Sequence, residues 1–282
     1  MKLSLIQENR IVRKLNQMAY NSLESISKML DDLEIKNYKI NPTTLVVDVN
    51  GDVDLGSGRS NDGRLIKLDW TELLCQFGKV SGNFSCTNIG LISLKGAPNE
   101  IGGSFYCAYN KLTSLVGAPQ KVGGGFFCND NKLTSLEGAP QKISGFFDCR
   151  YNKLTSLEGA PSHVGGEYRC GYNELTSLEG APNKINGNFL CDKNNLTSLE
   201  GAPDHVSGSF NCDKNNLTSL EGAPSYVGGN FYCRHNKLTS LEGAPDEVGR
   251  DFICTSNKVK FIEEDVIEVS DVKGNIVVKG VY

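Results

Sequence analysis

The chain has 282 residues, 29 basic against 33 acidic side chains, and a net charge of −4. That length suits one large domain or two small ones, and the acidic balance leaves no broad basic field for nucleic acid or an anionic membrane. No apolar run approaches the roughly 18 residues of a membrane span, and the start, MKLSLIQENRIVRKL, lacks the apolar core of a signal peptide, so a cytoplasmic protein is expected.

In chain order, residues 9–33 place Ile11, Leu15, Met18, Leu23, Ile26, Met29, Leu30 and Leu33 at helical spacing, which predicts an amphipathic helix. Tyr38–Ile40 and Leu45–Leu55 read as strands, with Asn50-Gly51 as a hairpin turn. Arg64–Phe77 reads as the degenerate first coil of a repeating array. From there the cysteines keep time: Cys86, Cys107, Cys128, Cys149, Cys170, Cys191, Cys212, Cys233 and Cys254 each follow the last by 21 residues. Around them runs V-G-G-x-F-x-C-x-x-N-x-L-T-S-L-E-G-A-P, as from Val122 to Pro140. A fixed period of this size means one supersecondary unit stacked on itself, with neighbours supplying the core. The tail, Lys260–Tyr282, alternates apolar residues around Lys273-Gly274 and predicts a closing strand pair.

Within a unit each position has a physical task. Phe126 and Cys128 are two apart and share one strand face, so stacking makes an inward phenylalanine row and cysteine row; Tyr168 replaces the phenylalanine once. The asparagine after the strand, as Asn131, can donate and accept across turns, while Ile89 holds that place in the first good repeat. Leu133 and Leu136 return the chain to the core, and Gly-Ala-Pro favours an extended return over a helix. The glycine pair before the strand is expected to adopt positive φ in a tight corner.

The heart F-x-C-x-x-N-x-L matches the L-x-L-x-x-N-x-L of leucine-rich repeats. N-K-L-T-S-L resembles the short repeats of bacterial secreted effector ubiquitin ligases, and the full unit resembles repeat proteins encoded by tailed bacteriophages and some bacteria. The resemblance covers about two thirds of the chain. It implies a leucine-rich-repeat solenoid with a parallel β-sheet on a concave face, an extended, helix-poor convex side, an N-terminal helix and mixed caps. The divisions are 1–76 as an N-terminal α/β cap, 77–259 as the solenoid and 260–282 as a C-terminal β cap. The effector ligases carry a separate catalytic domain with a nucleophilic cysteine, and no spare segment here could hold one.

The repeated chemistry reads as architecture. Buried cysteine packs as a small apolar side chain, and no C-x-x-C pair suggests zinc or redox work. Glu137, Glu158, Glu179, Glu200, Glu221 and Glu242 form a row read as a solvated rim, since the calcium-binding repeat is absent. His163, His205 and His235 have no nucleophile beside them. No enzyme, cofactor or metal is expected.

Positions that vary between coils are free to serve binding. The residues flanking each cysteine face outward by strand alternation: Tyr106, Phe127, Asp148, Arg169, Leu190 and Tyr232 before it, Arg150 and Arg234 among those after it. Tyr109, Tyr151 and Tyr172 follow one place on, and Phe146 joins the aromatic half. Tyr and Arg on an exposed face make the composition of a binding hot spot. Three readings stay open: a protein-binding module, such as a phage- or bacterium-encoded inhibitor of a host protein acting by steric occlusion; a structural protein self-associating through the N-terminal helix; and a binder of a carbohydrate or other small ligand. Nucleic acid and membranes are disfavoured.

Overall fold

The computed structural model describes residues 23–55 and 75–279. Leu23–Asp32 forms a helix, α1, that buries Ile26 and Leu30; residues 9–22 of the predicted helix and 64–74 of the predicted first coil lie outside the described residues. Tyr38–Ile40 (β1) pairs antiparallel with Val46–Val49 (β2). The expected hairpin at Asn50-Gly51 does not form. Instead β2 lies parallel to Gln76–Val80 (β4), while Val53–Asp54 (β3) lies parallel to Phe84–Ser85 (β5). Asn50-Gly51 is a corner between two sheets, because Val47, Val49, Val53 and Leu55 must all reach one core and are all buried there. Asp48 and Asp52 bind this coil to the next, accepting the backbone N–H of Lys79 at 2.7 Å and of Asn83 at 2.6 Å.

Every later coil repeats this plan with two short parallel strands. One set builds a sheet of eleven strands, from Val53–Asp54 to Ile276–Val277, with the nine cysteine coils between. The register steps by one repeat, so Phe126 faces Phe147 and Phe147 faces Tyr168. The other set, such as Lys121–Val122 and Lys142–Ile143, forms a second ladder on the opposite side, divided into sheets of seven and five strands by a break between His163–Val164 and Lys184–Ile185. The fold is a leucine-rich-repeat solenoid with few helices. At the C-terminal end the predicted strand pair is replaced by a further coil: Asp271–Val272 extends the second ladder and Ile276–Val277 the long sheet, each in parallel. A short helix, Glu263–Ile267 (α2), precedes them and buries Val266.

Inward rows fill the space between the sheets. The aromatic row from Phe84 to Phe252 keeps ring centroids 5.1–6.0 Å apart, within the range of favourable ring contacts. The nine row cysteines are buried free thiols. Several donate to the carbonyl of the next coil, Cys212 to Tyr232 at 3.2 Å and Cys191 to Asn211 at 3.3 Å. Asn152 shows the asparagine ladder: its Nδ2 donates to the carbonyls of Cys128 (3.1 Å), Cys149 (3.0 Å) and Arg150 (3.2 Å), and its Oδ1 accepts the N–H of Leu133 at 2.9 Å.

The glycines divide differently from expectation. Positive φ belongs to the glycine of Gly-Ala-Pro, as Gly138 at 90°. The pair before the strand is required by close backbone approach: a Cβ on Gly123 would stand 2.1 Å from the Gly102 carbonyl oxygen. The other left-handed position is two residues after each cysteine, where φ is 54–60° at nine residues from Asn88 to Ser256.

Tyr168 is fully buried in the phenylalanine row, and its hydroxyl has no hydrogen-bond partner among the described residues. Such an unmet hydroxyl is destabilising. Tyr168→Phe is therefore expected to stabilise the fold by about 1 kcal/mol, read as a raised urea midpoint; an unchanged or lowered midpoint would mean the hydroxyl is satisfied.

Candidate functional site

Residues on either side of a core cysteine point off the outer face of the long sheet. There Tyr106 and Phe127 stack at 4.8 Å with 5° between their planes. Phe146 precedes the core Phe147 and is 44% exposed, with the Arg169 guanidinium 5.7 Å above its ring. Leu190 follows Arg169 in the same column and is half-buried. These side chains form one apolar and cationic shelf across neighbouring coils.

Asp148 departs from its expected exposure. It is buried, because Arg150 and Arg169 close over it: Arg150 donates from Nε at 3.0 Å and Nη2 at 2.7 Å, and Arg169 Nη1 lies 3.6 Å away. Arg169 also donates to Glu167, whose second oxygen accepts from Asn188 at 2.9 Å. Both arginines are thus held in place, which lowers the entropy a partner would have to remove. The Arg150 hydrogen bond to Asp148 raises the Arg150 pKa further, so its charge is fixed.

Tyr109, Tyr151 and Tyr172 occupy the left-handed position, on the edge of this shelf. Tyr151 and Tyr172 stack at 4.2 Å, and Lys193 Nζ sits 4.0 Å over the Tyr172 ring. A hydrogen bond from Lys193 holds the Tyr172 phenol below its ordinary pKa, while Tyr151 is raised by its hydrogen bond with Tyr172. A left-handed residue other than glycine costs roughly 1 kcal/mol, yet none of the nine coils uses glycine there. Tyr232 and Arg234 form a second group two coils beyond Leu190: Arg234 lies 5.3 Å over the Tyr232 ring and grips buried Asp213 at 2.6 Å.

The column three residues before the cysteine was missed in sequence reasoning. The side-chain oxygens of Asn83, Ser104, Asn188, Ser209, Asn230 and Asp251 each accept the N–H that follows in the next coil, at 2.7–3.0 Å. The ladder is interrupted at Gly125 and Phe146, which carry no acceptor, and at Glu167, whose carboxylate accepts from the Arg169 and Asn188 side chains instead. A Cβ on Gly125 would lie 2.7 Å from Phe127 Cε2, so the glycine makes room for that ring to lie flat. Three adjacent coils lack this structural hydrogen bond where the aromatic shelf stands, two of them for want of any acceptor. Comparing this one column between repeats would have found it.

Of the three histidines, His205 is half-buried and stacks on Tyr226 at 4.6 Å, and His163 is exposed. Among the described residues no group of three or more His, Cys, Asp or Glu could hold a metal ion, and no helix is long and apolar enough to cross a membrane.

No protein-family model matches the chain. No curated protein matches it either. Among solved structures it is similar to YopM from Yersinia enterocolitica WA-314, with a TM-score of 0.46 and 15% identity over 72% of this chain. The chain spans about half of that protein, 51% of its length.

Proposed function

We propose that the chain is a non-enzymatic module that holds a protein partner on the outer face of the long sheet. The observation that carries this reading is the interrupted acceptor ladder. Gly125 and Phe146 weaken the scaffold locally and yield a flat aromatic surface, a trade that folding alone does not reward. Tyr106, Phe127, Phe146, Arg150 and Arg169 form its centre, Asp148 positions the arginines, and Tyr109, Tyr151, Tyr172 and Leu190 border it. Tyr232 and Arg234 add a second contact. Residues 77–259 act as the recognition surface, with 1–76 and 260–282 as caps. A partner covering this face would be blocked sterically, as expected of a phage- or bacterium-encoded inhibitor of a host protein. Ten free cysteines suit a reducing compartment such as the cytoplasm.

Truncating the aromatic centre tests the reading. Affinity for a partner captured from host lysate, measured by calorimetry, is expected to fall more than about 100-fold in Tyr106→Ala/Phe127→Ala/Phe146→Ala, since central aromatics each contribute about 2 kcal/mol or more. Unchanged far-ultraviolet circular dichroism would show the scaffold intact. Equal affinity of variant and wild type would remove the shelf from the binding site.

A further inference from the structure

The glutamate row plays no part in the aromatic shelf, and it has a counterpart elsewhere on the molecule. On the second side, Lys121, Lys142, His163, Lys184 and His205 occupy the same repeat position in five consecutive coils, across the break in strand pairing between His163–Val164 and Lys184–Ile185. Each precedes a buried Val or Ile and so points outward. No acid interrupts the column between Glu100 and Glu247. The neighbours of its first four members on one side, Gln120, Gln141, Ser162 and Asn183, are uncharged, and Asp204 stands beside the fifth. The chain therefore separates its charges into rows although its net charge is small.

The acidic row is equally regular. Glu137, Glu158, Glu179, Glu200, Glu221 and Glu242 are all exposed, and among the described residues none of them makes an ion pair. Their backbones are held to the coil pitch: the Glu179 carbonyl accepts from Leu157, Glu200 from Leu178, Glu221 from Leu199 and Glu242 from Leu220, at 2.9–3.3 Å. Glu137 and Lys142 are five residues apart in the chain, on either side of a Gly-Ala-Pro corner. Both rows repeat at the spacing of parallel strands, about 4.8 Å.

A matched pitch selects the partner. Carboxylates on one face of an extended peptide recur about every 6.6 Å, so they fall out of step with the basic column after two or three coils. The surface that stays in step along the whole column is another stack of the same coils. We infer that two copies of this chain associate side by side, the Glu row of one lying along the Lys/His row of the other. A single exposed ion pair contributes little. A commensurate row of them adds up, and the resulting association is weak and strongly salt-dependent. It is distinct from self-association through the N-terminal helix, and it leaves the aromatic shelf free.

Sedimentation velocity on the intact chain tests this at about 20 mM salt, where charges are screened over about 20 Å, and at about 0.5 M, where the screening length is about 4 Å. The wild type is expected to associate at the lower salt and to be monomeric at the higher. Lys121→Glu/Lys142→Glu/Lys184→Glu and Glu137→Lys/Glu158→Lys/Glu179→Lys should each weaken association at least ten-fold, and an equimolar mixture of the two should restore it. The same number of reversals at exposed Lys111, Lys132 and Lys153 controls for net charge and should associate as the wild type does. A wild type that stays monomeric at low salt overturns the inference. So does association that survives the reversals in the column, or that is lost equally in the control. A monomeric wild type that binds oligoglutamate instead would assign the column to an acidic peptide and likewise overturn it.

Discussion

Stability is expected to collapse between about pH 9 and about pH 10.5, far more steeply than for a typical soluble domain. The cause is the row of thiols. Burial holds the thiols of Cys86, Cys107, Cys128, Cys149, Cys170, Cys191, Cys212 and Cys233 above their ordinary range, in most cases well above it. Cys254 is left out, because its hydrogen bond with Cys233 holds it down. In the unfolded chain a thiol ionises near pH 8.5. With the folded pKa above the unfolded one, stability is fully present below about pH 8.5 and is lost as pH rises, because only the unfolded state gives up its protons. One unit above the unfolded value each thiol favours unfolding by about 1.4 kcal/mol, so eight together favour it by about 11 kcal/mol. That matches the whole stability of an ordinary domain, about 5–15 kcal/mol.

Urea unfolding followed by circular dichroism under reductant, at steps from pH 7 to pH 9.5, would measure the slope. Cys149→Ser/Cys191→Ser sharpens the test. Both thiols donate to carbonyls of the next coil, at 3.4 and 3.3 Å, and serine keeps a donor there without ionising. The pair should reduce the alkaline slope by about a quarter, two of eight protons. A flat profile through pH 9.5 would mean the thiols ionise in the folded state, and the buried row would then be wrong.

The 21-residue period disclosed the rows because each row is one residue type repeated. The inward Phe and Cys, the paired leucines and the ladder asparagines are all legible by comparing one coil with another. The second ladder was not legible, since two-residue strands such as Lys142–Ile143 are too short to show alternation. For the same reason Asn50-Gly51 looked like a hairpin: local turn chemistry does not reveal that β2 and β3 join different sheets. Asp148 illustrates the limit at the candidate site. Alternation correctly turns it outward, but its burial comes from Arg150 in its own coil and Arg169 in the next, and long side chains that fold over a neighbour leave no period in the sequence. Gly125 was hidden differently, by lying among so many structural glycines.

Asn152→Ala is expected to destabilise the fold by about 4 kcal/mol and to break its cooperativity. The side chain makes four hydrogen bonds, two within its own coil and two to the coil before it. Without it the buried N–H of Leu133 loses the acceptor seen at 2.9 Å, at about 1–3 kcal/mol. The carbonyls of Cys128, Cys149 and Arg150 lose a shared donor as well. Alanine cannot refill the space, and water would have to enter beside buried Leu133 and Leu154. In a stacked repeat, stability is a sum of coil and nearest-neighbour terms, so a weak interface in the interior separates the stack into two units. Hydrogen exchange should then show amides of the coils around Cys107 opening independently of those around Cys212, where the wild type opens them together. A loss under about 1 kcal/mol with uniform exchange would mean that backbone pairing alone carries the stack. The lesion falls between the coils of Tyr106 and Phe127 and those of Arg169 and Leu190, so the same variant should lose the continuous shelf while both halves remain folded.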